Sequence, residues 1–150
     1  MRILVLGASG IIGQFLRECI PSGVEPIFCR RKPSPDYTSI DATNFREIHG
    51  LIVHLKPQAV INLAGESNTD DVQRNHRAYR QINVGLPGEL ATICEKIRLV
   101  QVSSQAVFNG FNAPYRTISM RNPINHYGRQ KAEAEVLVLR RKNAVVGGPP

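Results

Sequence analysis

Arg2-Ile3-Leu4-Val5-Leu6-Gly7-Ala8-Ser9-Gly10-Ile11-Ile12-Gly13 decides the fold. After Arg2, the run over residues 2–6 is continuously apolar rather than alternating, as expected of a strand covered on both faces. Glycines then recur at positions 7, 10 and 13 before a helical stretch through about Cys19. A strand, a glycine turn and a helix in that order can hold a pyrophosphate. Glycine lets the backbone approach the ligand, and the helix start offers free N–H groups and partial positive charge. Glycine chosen only for close packing of helix on strand is the plainer reading of the same residues.

Outward from that stretch, short apolar runs alternate with longer helical ones. Strands are expected at 24–29, 38–40, 59–63 and 99–102, with Asn143 to Val146 beginning a sixth. Helices are expected over 44–55, over about 72–96 with a bend at Gly85, Pro87 and Gly88, and over 126–142. Residues 104–125 read as loop. Buried-type strands alternating with helices predict a doubly wound α/β fold with a parallel sheet, a Rossmann-type domain over residues 1–150. The ending Gly147-Gly148-Pro149-Pro150 places the sixth strand at the terminus, so the sheet is expected to stop before its last strands and before any substrate domain.

Composition narrows the function classes. The chain has 150 residues, 42% of them hydrophobic and 21% charged, which is ordinary for a single globular domain. Nineteen Lys and Arg against twelve Asp and Glu give +7, a surplus that suits a polyanionic or phosphorylated partner. Outside Arg30–Lys32 and Arg140–Lys142 the cations are scattered, and aromatics are only 6%, so nucleic acid is a poor candidate. No stretch approaches the roughly 20 apolar residues of a membrane span. Cys19, Cys29 and Cys94 lack CxxC spacing and fit reduced thiols in a cytoplasmic protein. His49 and His54 lie about 140° apart around a helix, and His76 and His126 are isolated, so no metal is expected. A G-x-S-x-G hydrolase elbow is missing.

The second strand ends in Cys29-Arg30-Arg31-Lys32. A fold of this class selecting NAD usually has a carboxylate there for the ribose 2′-OH. Arg30 and Arg31 instead suit a 2′-phosphate, which points to NADP(H) in preference to NAD, a solvated basic loop being the bland alternative.

Further motifs follow in order: Asn62-Leu63-Ala64-Gly65, Ser103-Ser104 and Tyr127-Gly128-Arg129-Gln130-Lys131. With the glycine loop they resemble the extended short-chain dehydrogenase/reductase family. Val102 to Gly110, Asn83-Val84 and Asn122-Pro123 are similar to its dTDP-4-dehydrorhamnose reductase branch. The resemblance implies NADPH-dependent reduction of a keto group on a sugar nucleotide. A non-catalytic NAD(P)-binding or regulatory subunit is one alternative, and an NAD-dependent sugar-nucleotide epimerase a second. It also implies a possible homodimer. Tyr127 would be the general acid, Ser104 would orient the substrate, and Lys131 would bind the nicotinamide ribose. Gly7, Ser9, Gly10, Ile11, Ile12 and Gly13 would cradle the cofactor, and Leu63, Ala64 and Gly65 would line its nicotinamide side.

Tyr127 and Lys131 stand four apart at a helix start and share a face, so the ammonium is expected to lower the tyrosine pKa. Asp41, with Ala42, matches the family's adenine contact, although an Asp before a helix also serves as a turn residue. Asn83 matches an asparagine of the central helix, or serves helix packing. The family's dehydratases carry Asp-Glu after the active Ser or Thr. Gln105-Ala106 stands there in this chain and cannot move a proton, so dehydration is disfavoured.

Overall fold

In the computed structural model, which describes residues 1–111 and 113–148, six strands form one parallel sheet. They are β1 Arg2–Leu6, β2 Glu25–Arg30, β3 Thr38–Ser39, β4 Ala59–Asn62, β5 Arg98–Val102 and β6 Ala144–Gly147. Their order across the sheet is β3-β2-β1-β4-β5-β6. The helices are α1 Ile11–Glu18, α2 Phe45–Leu55, α3 Thr69–Arg74, α4 His76–Arg80, α5 Leu86–Ile93 and α6 His126–Leu139. The expected doubly wound architecture is therefore present. Pro149 and Pro150 of the glycine-proline ending lie outside the described residues.

β1 is apolar from Ile3 to Leu6 because it is central and buried on both sides. Leu4 and Leu6 join Ile48 and Ile52 of α2, Leu86 and Leu90 of α5 and Val138 of α6. Ile3 and Val5 pack on the other face with Leu16 of α1, Phe28 and Tyr37. Each such fully buried aliphatic side chain stabilises the fold by about 1.5–3 kcal/mol relative to exposure. β6 pairs with β5 from Leu99↔Ala144 to Val102↔Gly147, so the sixth strand is formed over its length.

The long helix expected over 72–96 is three pieces. It starts earlier, at Thr69, where the Asn68 side chain accepts from the N–H groups of Asp70 and Asp71. It breaks at Asn75, whose φ of −129° and ψ of 40° are not helical. A π turn over Gln81–Gly85 then joins α4 to α5, the Leu86 N–H reaching back to the Gln81 carbonyl. Pro87 has no N–H to continue a regular ladder, and the widened turn accommodates that gap. The bend read at Gly85–Gly88 is thus a π turn. α6 ends at Leu139 rather than 142, and Arg140 to Lys142 turn the chain into β6.

Among the described residues no helix is long and apolar enough to cross a membrane. Burial pushes the Cys29 thiol up to about 12 and the Cys94 thiol up to about 11, whereas Cys19 is exposed. Ellman's reagent should therefore titrate one thiol per native chain and three after denaturation, since only the thiolate of an accessible cysteine reacts. Two or more fast-reacting thiols in the native chain would contradict this packing.

Candidate active site

Parallel pairing brings the carboxyl ends of all six strands to one edge, and the chain reverses direction across the sheet between β1 and β4. In open α/β sheets that switch point is where a crevice forms. Gly7 follows β1 there with φ +75°, and a Cβ on it would lie 2.5 Å from the Ala64 nitrogen. The glycine loop is therefore seated directly on the Leu63-Ala64-Gly65 turn after β4. A Cβ on Gly13 would lie 2.3 Å from the Ala8 carbonyl oxygen, so this glycine serves close packing of α1 on the loop.

Gly10 differs from both. A Cβ there would meet only the Gly7 carbonyl oxygen, at 3.6 Å. Internal packing does not explain that glycine, whereas the approach of a ligand would. Gly10 is also the N-cap of α1 and brings no side chain to it. Ser9, Ile11 and Ile12 around it are exposed.

The turn after β4 is held from beneath. Asn62 is fully buried, donates to Gln101 Oε1 at 2.8 Å across β4 and β5, and accepts from the Ala64 N–H at 3.1 Å. Beyond Gly65, the Glu66 N–H donates to Asn83 Oδ1 at 2.9 Å. Asn83 Nδ2 in turn reaches the Glu66 carbonyl at 3.1 Å and Gln130 Oε1 at 2.8 Å. Gln130 Nε2 donates to the His76 carbonyl at 2.7 Å, at the start of α4. Asn83 is thus more than a packing residue. It stands on the π turn and links the loop after β4 to the first turns of α6.

Ser104 follows β5 and caps a 3₁₀ turn over Gln105–Val107, accepting from the Ala106 N–H. α6 abuts that turn: a Cβ on Gly128 would lie 2.0 Å from the Ala106 carbonyl oxygen. The start of α6 is capped by Asn125, whose side chain accepts from the Gly128 N–H at 2.7 Å. This backbone contact sets Tyr127 near Ser104, close enough for the Ser104 hydroxyl to act on the phenol's pKa.

The electrostatics differ from the sequence expectation. Tyr127 is held above the ordinary tyrosine range, chiefly by burial. The nearby Ser104 hydroxyl pulls it down and the Glu66 charge raises it. Lys131 is not among the causes. Its Nζ donates to the Val102 carbonyl at 2.6 Å, and burial pushes its pKa down to about 8 against the opposing pull of Glu135. The expected lowering of Tyr127 by a nearby ammonium is therefore corrected: sharing a helix face did not pair the two groups, because the lysine head turns to the exit of β5.

Glu135, 7% exposed and one turn beyond Lys131, was missed in the sequence. It accepts from the Ser103 hydroxyl and from Arg121 Nε, tying α6 to both the end of β5 and the long loop before the helix. His76 and His126 are not isolated as expected. Their rings stack with centroids 4.0 Å apart. Partial burial, then the His76 ring and Arg129, lowers the His126 pKa. Among the described residues no group of three or more His, Cys, Asp or Glu side chains could hold a metal ion.

The remaining predicted residues lie at the ends of β2 and β3. Arg30 closes β2, and its guanidinium carbon lies 5.3 Å from the centre of the Tyr37 ring. Arg31 is exposed, with its charge near Asp41. Asp41 Oδ1 accepts from the Thr43 N–H at 2.9 Å and from its hydroxyl at 2.7 Å, and these bonds with Arg31 lower its pKa. Asp41 thus makes a turn, with Ala42 inside it, while Asn44 caps α2. A groove of about 700 Å³ between α2 and α5, lined by Ile52, Lys56, Pro57 and Ile97, opens at the opposite edge of the sheet, away from all of these residues.

Comparison with known proteins agrees with this arrangement. Residues 1–146 match the model of the RmlD substrate binding domain. Methionine adenosyltransferase 2 subunit beta of Bos taurus is 32% identical over 142 residues, covering 92% of this chain and 42% of its own length. The dTDP-4-keto-6-deoxy-D-glucose reductase of Streptomyces niveus is 30% identical over 141 residues, covering 92% of this chain and 47% of its own. The chain thus spans about half the length of the curated relatives it matches.

Solved structures share the fold. A hypothetical dTDP-4-dehydrorhamnose reductase from Sulfolobus tokodaii has a TM-score of 0.91 at 24% identity, over 99% of this chain and 55% of its own. The Bacillus anthracis dTDP-4-dehydrorhamnose reductase in complex with NADP has 0.85 at 22% identity, over 98% and 52%. The Bordetella bronchiseptica enzyme WbmG in complex with NAD has 0.80 at 20% identity, over 99% and 52%. A match to the family model over nearly its whole length, on a sheet whose glycine loop and YxxxK helix meet at one edge, places this chain in the RmlD substrate-binding domain family.

Proposed function

We propose that this chain is the cofactor-binding part of an NADPH-dependent reductase acting on a keto group of a sugar nucleotide. The observation that carries the reading is the Ser104–Tyr127 pair, set by Gly128 against Ala106 at the edge that also bears the open Gly10 turn. NADPH, when bound, supplies the hydride to the carbonyl carbon. The chain would hold it with Gly7, Ser9, Gly10, Ile11, Ile12 and Gly13 at the pyrophosphate, Leu63, Ala64 and Gly65 at the nicotinamide side, and Lys131 at the ribose. The uncapped start of α1 and the space beside Gly10 fit that group.

Tyr127 would give its phenolic proton to the carbonyl oxygen, leaving the alcohol. Its raised pKa suits this direction, since the group keeps its proton at neutral pH until the developing alkoxide takes it. Ser104 would hydrogen-bond the same oxygen. Gln105 and Ala106 offer no acid or base for dehydration, and epimerisation remains the weaker reading. At the other end of the cofactor, Arg30 and Arg31 would favour the 2′-phosphate of NADPH over the hydroxyl of NADH. NADP in the Bacillus anthracis structure and NAD in WbmG mean that selectivity has to be argued from these cations rather than from the fold. A homodimer and cytoplasmic residence belong to the same reading.

A second reading is that of an accessory NADPH-binding subunit of another enzyme. The beta subunits among the curated relatives favour it. Assay of the whole native protein that carries this chain, with NADPH and a dTDP-linked 4-keto sugar, separates the two. A reductase loses about 100-fold or more in kcat on Tyr127→Phe with NADPH affinity retained, while an accessory subunit shows no turnover from the start.

Arg31→Asp should weaken NADPH by about 10- to 100-fold with little effect on NADH, measured by titration of nicotinamide fluorescence. Equal loss for both cofactors would exclude a phosphate contact at Arg31.

Lys131 makes stability pH-dependent. Its pKa of about 8 in the folded chain lies below the unfolded value of 10.5, so between them the unfolded state binds more protons and stability rises with pH. Urea unfolding of the wild type relative to Lys131→Met should show that rise across this interval. A flat difference would show that the lysine is not desolvated.

A further inference from the structure

At the outer edge of the sheet three separate segments bring cations and aromatic rings together. The Arg17 guanidinium of α1 lies 5.1 Å from the centre of the Phe28 ring and 4.7 Å from that of Tyr37. Arg30, two residues beyond Phe28 on the same face of β2, lies 5.3 Å from the same Tyr37 ring. Tyr37 is brought back to this position by a turn in which its N–H donates to the Ser34 carbonyl at 3.1 Å. The result is a ladder of Phe28, Arg17, Tyr37 and Arg30 on the α1 side of the sheet.

The charge on this ladder points to an anion. Neither Arg17 nor Arg30 forms an ion pair among the described residues, although two guanidinium groups share one ring. Arg17 Nη1 and Arg30 Nε are buried with no hydrogen-bond partner. Like charges held close without a carboxylate repel, and a dianion at the reachable guanidinium nitrogens would offset that charge. Arg30 is the last residue of β2, at the edge that carries the glycine loop.

We propose that Tyr37 is a positioning residue for cofactor selectivity: by carrying Arg17 and Arg30 on its ring, it holds uncompensated positive charge at the end of β2 for the 2′-phosphate monoester of NADPH. This rests on the NADPH reading above and goes beyond it in naming what fixes the arginine. A guanidinium on a flexible stem loses side-chain freedom when it grips phosphate, and stacking on Tyr37 means that much of this loss has occurred before binding. Arg17 adds a second charge from beneath the ring.

The test is titration of the chain with NADPH and with NADH, read by nicotinamide fluorescence, for the wild type, Tyr37→Ala, Tyr37→Phe, Arg30→Met and the double variant Tyr37→Ala/Arg30→Met. Tyr37→Ala should raise the NADPH Kd about three- to tenfold, and the NADH Kd less than about twofold. Tyr37→Phe keeps the ring and should bind NADPH like the wild type. The double variant should lose clearly less than the sum of the two single losses, because Tyr37 acts largely through that arginine, with only the share of Arg17 left to lose. Thermal melting by circular dichroism accompanies each variant, and Tyr37→Leu, which retains apolar cover on Phe28, replaces Tyr37→Ala if the latter is unfolded.

Equal weakening of both cofactors, a Tyr37→Phe variant as weak as Tyr37→Ala, or additive losses in the double variant would each overturn the role of Tyr37 while leaving NADPH selectivity standing. A wild type that binds NADPH and NADH equally would overturn the NADPH reading itself, before any Tyr37 variant is made.

Discussion

Gly128 sits so close to the Ala106 carbonyl oxygen that a Cβ would lie 2.0 Å from it, and the arrangement at the carboxyl edge depends on that approach. With any larger residue α6 would have to back away from the 3₁₀ turn after β5. Tyr127 precedes Gly128 and Ser104 precedes the turn, so the approach of these two residues is set by backbone against backbone. The same device recurs across the crevice, where Gly7 lies against Ala64. Missing side chains at two places thus position the loop that would cradle a pyrophosphate and the helix that would carry the acid.

Polar side chains, most of them buried, then stiffen what the glycines bring together. Asn62 and Gln101 join β4 to β5 beneath the Ala64 turn. Asn83 and Gln130 connect the loop after β4, the π turn and α6. Glu135 gathers Ser103 and Arg121 while opposing the depressed pKa of Lys131. Each of these groups is satisfied by a partner from another segment, the condition for buried polarity to specify an arrangement rather than destabilise it. The π turn belongs to this network. A regular helix through residues 81–85 would need an N–H that Pro87 lacks, and the widened register sets Asn83 against Glu66.

The relatives of this chain include both a reductase and the beta subunit of a methionine adenosyltransferase. Related chains therefore occur in proteins whose names describe different work, as expected when function resides in sites carried on a fold. In this chain the hydroxyl pair and the cationic end of β2 are the features that bear on the choice. They lie at opposite ends of the proposed cofactor track, so the chemistry and the selectivity can be examined separately.

Much of this was legible in the residues themselves. The apolar run of β1, the spacing of Gly7, Gly10 and Gly13, and the alternation of strands with helices determined a parallel doubly wound sheet, because backbone periodicity and chain reversal are local properties. Strand direction alone then carried Ser104 and Arg30 to one edge. What the linear order could not decide is anything set by groups distant in sequence. Lys131 turning to Val102 instead of Tyr127, His76 stacking on His126, Glu135 meeting Arg121 and Arg17 lying on Tyr37 all depend on packing between segments. Protonation followed the same division. The spacing of Tyr127 and Lys131 put them on one helical face, but burial, known only once α6 lay against the sheet, raised one pKa and lowered the other.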